Sequence, residues 1–435
     1  MQTRYDAVIV GAGPAGSSAA ILLATAGWSV ALIEKQTFPR QKVCGECVAS
    51  SNLPLLDALG IGGELAGQAG PELQRVALMR GAHSVCADLP PAAQAGHRFG
   101  RAIGRETLDT LLLARARAVG ATVLQPWAVQ QLSGAAGSHI CTVREAAGGR
   151  EHRLQAPVAI LAHGSWEALP EERAVLRLTR CGSDLLAFKA IFADARLAAG
   201  LLPVLAFDGG YGGMVMADGD LLTLACCIRA DRLDALRRAA PGRAAGEVVE
   251  DMLKRQCQGV GEVLQGATRR GGWLASGPLR PGVRLRPDDE VFRIGNAAGE
   301  AHPIIGEGIS MALQSSWLLC TALAAARPAH LARGADASAL WQRQARQRYT
   351  ADWRHHFVPR LRIAAGFAHL AMRPAAAGAL MATLKRFPGL LTRGAVWSGK
   401  VRSVADNATL TAALDRWPLP SALQTLHRPS SGEQR

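Results

Sequence analysis

The stretch YDAVIVGAGPAGSSAAILLATAGWSVALIEK, residues 5–35, decides the fold. A short apolar run over 5–10 predicts a buried strand, and it ends in the glycine-rich turn GAGPAG at 11–16. A helix-like apolar run over 14–26 follows, and a second strand over 29–33 ends at Glu34. This order of strand, glycine turn, helix, strand and acid predicts a βαβ unit that binds a dinucleotide.

Each glycine of this turn has a physical task. Gly11 allows the tight turn, Gly13 allows a pyrophosphate to approach the backbone, and Gly16 allows the helix and strand to pack closely. The helix N-terminus offers free N–H groups and a positive dipole end to the phosphates. Glu34 can accept hydrogen bonds from both ribose hydroxyls and would repel a 2′-phosphate, so the unit favours FAD or NAD over NADP.

The composition excludes several other classes of protein. With 435 residues, 49% hydrophobic and 19% charged, the chain is not of the disordered kind, and nine cysteines are too few for a small disulfide scaffold. No run of 18 apolar residues and no signal-peptide pattern is evident, so we expect no spanning helix, a cytoplasmic location and mostly free thiols. The net charge is +14, but the sequence shows no nucleic-acid-binding motif and no aromatic residues interleaved with the basic ones, so no nucleic-acid partner is expected.

Two later segments extend the interpretation of the first. FPRQKVCGEC at 38–47 follows the ribose-binding strand, where a loop can fold over the dinucleotide and Arg40 can neutralise phosphate. GNAAGEAHPIIGEG at 295–308 lies between a strand and a helix; there Asn296 can bond a ribityl chain, and the glycines let the backbone approach a flavin. The following helix N-terminus favours the anionic reduced flavin by roughly 0.3–1 kcal/mol. A chain with both ADP-type and ribityl-type segments favours FAD over NAD.

Together these three segments resemble the single-component FAD-dependent oxidoreductases of the para-hydroxybenzoate hydroxylase fold. The stretch from Lys42 to Gly45 is most similar to the geranylgeranyl reductase branch and its polyketide-tailoring monooxygenase relatives, and the Phe-Pro-Arg stretch at 38–40 is also similar to flavin-dependent halogenases. The resemblance covers residues 1 to about 330. It implies FAD as the cofactor. A zinc site at Cys44 and Cys47 would need two more ligands, and no second pair exists, so no metal is expected. The residues that we expect to contact FAD are Gly11, Gly13, Pro14, Ala15, Gly16, Glu34, Lys35, Arg40, Cys44, Gly45, Arg105, Gly295, Asn296, Pro303, Gly306, Glu307, Gly308 and Ile309.

The resemblance also implies an α/β fold class. We expect a Rossmann-like FAD-binding domain with an inserted, mainly antiparallel β-sheet substrate domain and a C-terminal helical region. The expected ranges are 1–75, 101–180 and 275–330 for the discontinuous FAD-binding domain, 76–100 and 181–274 for the substrate sheet, and 331–435 for the basic helical region.

The sequence departs from the family pattern at several places. His163 stands where aromatic hydroxylases usually carry an aspartate that serves a nicotinamide cofactor, so the external reductant is either NAD(P)H or a separate reductase. Tyr211-Gly-Gly213 stands where the reductases usually show an aromatic-rich strand. The Trp-x-Trp-x-Ile-Pro signature of halogenases is absent, which makes halogenation a weaker alternative.

Two reactions therefore stay open, and both need a hydrophobic small-molecule substrate. The first, which we favour, hydroxylates a phenolic or polyketide-like substrate through a peroxyflavin. The second saturates C=C bonds of an isoprenoid or polyene. Candidate catalytic residues are His302, Tyr211 and Cys44. A flavoprotein without turnover is a further alternative, as is a redox dithiol formed by Cys44 and Cys47.

The C-terminal region is strongly basic. No acidic residue occurs from Trp353 to Ala405, while arginine and lysine alternate with apolar residues. Such a stretch is typical of a helical cap with solvated arginines, and also of a helix at a membrane surface or against an acidic carrier. The substrate is accordingly expected to come from solution, a carrier or a membrane, and the protein could be peripheral at a membrane.

Overall fold

The computed structural model describes residues 2–93, 96–146, 148–165, 181–286, 288–326 and 335–397. Residues 335–338 are described by their backbone alone. Trp166 and the part of the expected basic region beyond Trp397, with Lys400 and Arg402, lie outside the described residues.

The strands are numbered in chain order. They are β1 Ala7–Val10, β2 Val30–Ile33, β3 Cys47–Val48, β4 Arg75–Arg80, β5 His83–Asp88, β6 Arg101–Ala102, β7 Thr122–Leu124, β8 Trp127–Ser133, β9 His139–Glu145, β10 Glu151–Ala156, β11 Val158–Leu161, β12 Leu185–Ala193, β13 Leu201–Phe207, β14 Gly210–Ala217, β15 Leu221–Arg229, β16 Thr268–Leu279, β17 Gly282–Val283, β18 Phe292–Arg293 and β19 Gly299–Glu300.

The α-helices are numbered in the same way. They are α1 Pro14–Thr25, α2 Leu53–Ala58, α3 Gly62–Gln68, α4 Arg105–Ala118, α5 Ala230–Ala239, α6 Ala245–Gln256, α7 Gln258–Val263, α8 Gly308–Ala326, α9 Ala335–Met372, α10 Pro374–Arg386 and α11 Gly389–Trp397.

A parallel sheet with strand order β18-β11-β1-β2-β7 forms the first domain. Its strands are buried on both faces, which is why β1, β2 and β11 are uninterrupted apolar runs. Helix α1 is also apolar nearly all round, because it lies between this sheet and α8. The Ser316 hydroxyl of α8 donates to the Ala15 carbonyl at 2.7 Å. The βαβ unit expected from the first 35 residues is confirmed.

A second sheet, with strand order β16-β12-β15-β14-β13-β4-β5, is antiparallel except where β13 runs parallel to β4. Its outer face packs on α5, α6 and α7. Its inner face packs on α9, α10 and α11 and is open to the parallel sheet domain between them. The expected architecture of an α/β fold with an inserted, mainly antiparallel sheet is therefore correct. Strand β16 continues to Leu279, so this sheet extends past the expected boundary at residue 274.

Among the described residues, α8 is the helix that is long and apolar enough to cross a membrane. It is 78% buried within the protein, where it packs on α1 and α9. Its apolar surface thus belongs to the core of the first domain.

Candidate active site

A cavity of about 260 Å³ lies between the two sheets. It opens at the carboxyl ends of β1, β2, β11 and β18, the edge where open parallel sheets bind their ligands. Most of the residues expected to contact FAD line it. They are Gly11, Gly13, Pro14, Ala15, Glu34, Arg40, Cys44, Gly45, Arg105, Gly295, Asn296, Pro303, Gly306, Gly308 and Ile309.

The glycine turn is built by close backbone contacts. Gly11 has a φ of +100°, and Gly16 is so close to it that a Cβ on Gly16 would lie 1.8 Å from the Gly11 carbonyl oxygen. Gly13 differs, since a Cβ there would meet only the Arg105 and Arg40 guanidinium nitrogens, at 3.7 and 3.9 Å. Gly11 and Gly16 are therefore required by the fold, whereas Gly13 leaves open space at the N-terminus of α1 beneath two cations. An anionic pyrophosphate fits that space.

Two arginines are held over this space by a buried carboxylate. Asp109 of α4 accepts bonds of 2.8 and 2.7 Å from Arg105 and lies 3.4 Å from Arg40. Nε and Nη1 of Arg40 are buried and have no hydrogen-bond partner among the described residues. Buried donors without partners are rare, so this end of the cavity is built for a ligand with acceptor oxygens.

Glu34 occupies the position expected for a ribose partner. Its carboxylate is buried and accepts the backbone N–H groups of Ala12 at 3.0 Å and Gln36 at 2.9 Å. These bonds fix its orientation at the end of β2. Lys35, which follows it, is exposed and does not line the cavity.

The segment at 295–308 forms the opposite end. Asn296 donates from its side chain to the Ser165 hydroxyl at 2.8 Å, which in turn donates to Glu300 at 2.8 Å. Arg284 donates to the other oxygen of Glu300 at 2.7 Å. Asn296 is thus oriented by a chain of polar groups, and its remaining acceptor and backbone fit a polyhydroxylated chain such as ribityl. Ser165 and Glu300 were not singled out in the sequence.

Glu307 differs from the expectation. Its side chain is buried away from the cavity, with Oε2 lying 3.3 Å from the guanidinium of Arg360 on α9. Arg360 also donates to Gln314 of α8 at 2.9 Å. Glu307 therefore joins the loop to the helical region, and only its neighbours Gly306 and Gly308 line the cavity.

Two of the candidate catalytic residues form a pair. The Tyr211 hydroxyl of β14 lies 3.3 Å from Nδ1 of His302, and the His302 ring also packs on His369 of α9. Tyr211 lines the cavity, whereas His302 stands behind it. Burial lowers the pKa of His302 to about 4, and repulsion from His369 adds to this. Burial also raises the pKa of Tyr211 well above its usual range. The pair is therefore a neutral phenol beside a neutral imidazole.

Cys44, the third candidate, lines the cavity together with Cys47, and neither forms a disulfide within the described residues. The Glu46 backbone N–H donates to the Cys44 sulfur at 3.4 Å, and the Arg105 side chain also hydrogen-bonds to it. These groups place positive charge at this sulfur. Within the described residues, no cluster of His, Cys, Asp or Glu could hold a metal ion.

Sequence reasoning missed a buried ion pair beside the cavity. Glu46, which has a φ of +58°, pairs with Lys189 of β12 and accepts bonds from Thr223 of β15 at 2.5 Å and the Arg105 backbone N–H at 2.8 Å. Both charged side chains are only 2% exposed. A lysine in the otherwise apolar strand LLAFKAIFA, 185–193, was the signal for such a partner. The pair fastens the loop of the first domain to the substrate sheet.

Comparison with known proteins gives the decisive match. Residues 4–187 match the model of the family described as FAD binding domain. The chain carries an FAD-binding domain. Solved structures of the same fold include the flavin-dependent brominase Bmp2, with a TM-score of 0.68 and 17% identity over 95% of this chain and 99% of that one.

Two further structures broaden the range of reactions found on this fold. A geranylgeranyl bacteriochlorophyll reductase-like protein from Thermoplasma acidophilum has a TM-score of 0.65 and 16% identity, covering 98% of both chains. The anhydrotetracycline hydroxylase OxyS from Streptomyces rimosus has a TM-score of 0.63 and 18% identity, covering 92% of this chain and 75% of that one. The expected para-hydroxybenzoate hydroxylase fold is confirmed, and it is shared by halogenases, reductases and hydroxylases.

Curated relatives match smaller parts of their own length. Conditioned medium factor receptor 1 of Dictyostelium discoideum is 26% identical over 74% of this chain, which spans 64% of that protein. The menaquinone reductase of Mycolicibacterium smegmatis is 46% identical over 61 residues, 14% of this chain and 15% of that protein. The reaction therefore has to be argued from the cavity.

Proposed function

We propose that this FAD-binding protein is a monooxygenase that hydroxylates a hydrophobic phenolic or polyketide-like substrate. FAD, when bound, supplies the electron transfer and oxygen chemistry of its ring. Gly13, Arg40 and Arg105 would hold its pyrophosphate, Glu34 its ribose and Asn296 its ribityl chain. In the net reaction a substrate C–H bond becomes C–OH, and O₂, two electrons and two protons yield one water.

The observation that carries the proposal is the character of the sheet wall. The cavity residues contributed by β12 to β16 include no charged side chain, and their one hydroxyl is that of Tyr211. Small residues, among them Ala187, Gly213 and Ala225, leave room on this wall. An apolar wall with a single polar pair fits a flat hydrophobic ring that carries one hydroxyl group.

The protonation state of the Tyr211–His302 pair favours hydroxylation over saturation. A neutral His302 can accept a hydrogen bond from Tyr211, so that the Tyr211 oxygen can accept one from a substrate phenol; this hydrogen bond makes the substrate ring more electron-rich without a full proton transfer. Alkene saturation needs the reverse, a proton donor. Tyr211, with its raised pKa, holds its proton tightly, and the lowered pKa of His302 leaves little imidazolium to replace it.

The source of electrons is part of the same proposal. His163 lines the cavity in place of the aspartate that the family's aromatic hydroxylases use with a nicotinamide cofactor. Either NAD(P)H or a separate flavin reductase supplies the electrons, and comparing the two as reductants tests which one serves.

A second candidate is a reductase of isoprenoid or polyene double bonds. It is favoured by Cys44, which lies in the cavity with Arg105 against its sulfur, and by the reductases among the relatives. In this alternative Cys44 would supply the proton, and Tyr211 would only shape the wall.

One experiment with two arms tests both candidates. FAD-loaded protein is reduced with dithionite, freed of reductant, and mixed either with a naphthol in ¹⁸O₂-saturated buffer or with a polyene under argon. We expect ¹⁸O in the naphthol product, a loss of about 10²-fold or more in Tyr211→Phe, and little loss in Cys44→Ser. Loss of polyene absorbance under argon that depends on Cys44, without ¹⁸O incorporation, would instead establish the reductase.

A further inference from the structure

The turn between α10 and α11 presents apolar side chains to solvent. Six consecutive residues, Lys385 to Leu390, are exposed. Phe387 is 55% exposed and Leu390 39%, and Trp397 at the end of α11 is 58% exposed. We call residues 385–397 the basic tip.

Positive charge surrounds these apolar side chains. Lys385, Arg386 and Arg393 are exposed, and none of them forms an ion pair within the described part of the chain. The Arg386 guanidinium lies 5.3 Å from the Phe387 ring centre. The nearest acidic residues in sequence, Asp352 and Asp406, lie outside the basic tip. Cations around aromatic and aliphatic side chains are the composition of a surface that enters the headgroup region of an anionic bilayer.

The opposite face of α11 packs on residues that line the cavity. Leu391 and Ala395 pack against the apolar cluster that contains Cys47, Leu202 and Val215, and these three residues line the cavity. The Thr392 hydroxyl donates to the Asp88 carbonyl at 2.7 Å, which fastens α11 to β5. One short helix therefore contacts the residues that line the cavity on one side and has exposed apolar side chains on the other.

We propose that the basic tip docks on the surface of an anionic lipid bilayer, which brings the cavity close to a hydrophobic substrate held in that bilayer. The proposal rests on the proposed function in one respect, the hydrophobic substrate. A lipid surface matches both the charge and the apolar side chains of the basic tip. Anionic headgroups attract the cations, and Phe387, Leu390 and Trp397 can insert among the acyl chains. An acidic protein carrier would be matched to the cations alone.

Vesicle binding tests the docking without any turnover. The full chain, loaded with FAD, is sedimented with one of two kinds of vesicle. The first contains phosphatidylcholine alone, and the second also contains about 30–40% phosphatidylglycerol, which makes its surface strongly anionic. We expect binding to the anionic vesicles that weakens with added salt. Phe387→Ser/Leu390→Ser should reduce binding at least about 10-fold, since it removes two membrane-inserting side chains. Lys385→Glu/Arg386→Glu should do the same by charge reversal.

Matched control variants separate the tip from general surface effects. Ile140→Ser changes an apolar side chain of the same exposure, 39%, on β9. Arg237→Glu/Arg238→Glu reverses two adjacent exposed charges on α5. Both controls should bind vesicles as the unaltered protein does. Thermal unfolding and FAD absorbance verify that every variant is folded.

Several results would overturn the docking proposal. These are absence of binding to anionic vesicles, equal loss in the control variants, or binding that depends on the charges and not on Phe387 and Leu390. Binding that disappears when residues 398–435 are removed, with the tip intact, would overturn it as well. Failure of the ¹⁸O₂ experiment with normal vesicle binding would reject the proposed reaction alone, and the converse result would reject the docking alone.

Discussion

The two ends of the cavity are built by different means. At the nucleotide end, the backbone forms most of the site. The turn at 11–16, the N-terminus of α1 and the end of β2 all belong to one βαβ unit. At the substrate end, single side chains from β12 to β16 form the wall, and distant helices cover it. The nucleotide end is therefore shared across the fold, whereas the substrate end can change reaction by substitution of a few small residues.

The largest expected effect separates two glycines of the same turn. Gly16→Ala should prevent stable folding, at a cost of about 4 kcal/mol or more, because its Cβ would meet the Gly11 carbonyl at 1.8 Å. Gly13→Ala should fold with near-normal stability, since its Cβ would have only ordinary contacts, but should bind FAD at least about 10-fold more weakly. Chemical unfolding of the apoprotein and FAD titration measure the two effects.

The control for this pair is Gly67→Ala, a change in α3 where a Cβ would meet nothing within 4 Å. It should leave FAD affinity unchanged and raise stability by no more than about 1 kcal/mol, the ordinary gain from alanine in a helix. If Gly13→Ala bound FAD normally, the pyrophosphate would not lie in the space above that residue, and the assignment of the nucleotide end would be wrong.

The same contrast explains what the sequence could predict. The residues of the βαβ unit and of the loop at 295–308 stand close together along the chain, so their spacing predicts their geometry. The side chains that orient these residues come from distant parts of the chain. Glu46 pairs with Lys189, 143 residues away, and Ser165 donates to Glu300, 135 residues away. Glu307 shows the opposite error: the motif predicted a contact with FAD that the side chain does not make. Its partner is Arg360, which lies on a helix outside the motif and could not be inferred from the spacing.

The next largest effect tests the connection between the two ends. Lys189→Met should destabilise the protein by about 3–5 kcal/mol, since it leaves the buried Glu46 carboxylate without its cation. Glu46→Gln/Lys189→Met should recover much of that loss, because neither partner is then charged. Unfolding in urea at constant FAD concentration measures both. Equal stability of Lys189→Met and the double variant would mean that the Glu46 carboxylate is not destabilising once its cation is removed.

A smaller effect should be confined to the substrate end. Ala225→Leu on β15 adds a branched side chain to the cavity wall, so it should lower kcat/KM about 10- to 100-fold and leave the FAD dissociation constant unchanged. Ile140→Leu, an exposed change on β9, serves as the control. A weakened FAD affinity in Ala225→Leu would indicate that the flavin itself, and not the substrate, lies against β15.

The smallest effect is on the loss of stability in acid, and it distinguishes His139 of the first domain from His302, which contacts the cavity residue Tyr211. Burial lowers the pKa of His139 on β9 to about 4, with Arg346 lowering it further and Glu290 opposing. The unfolded chain therefore binds a proton below about pH 6.5 that the folded chain refuses, so stability falls as the pH drops from 6.5 towards 4. His139→Gln should remove about 1–2 kcal/mol of that loss and leave turnover unchanged, because His139 does not line the cavity.

His302→Gln should also reduce the loss of stability in acid, but it should lower turnover as well, since it removes the acceptor beside Tyr211. Unfolding midpoints and rates measured from pH 4.5 to 7.5 provide the test, and normal turnover in His302→Gln would remove the pair from the proposed reaction.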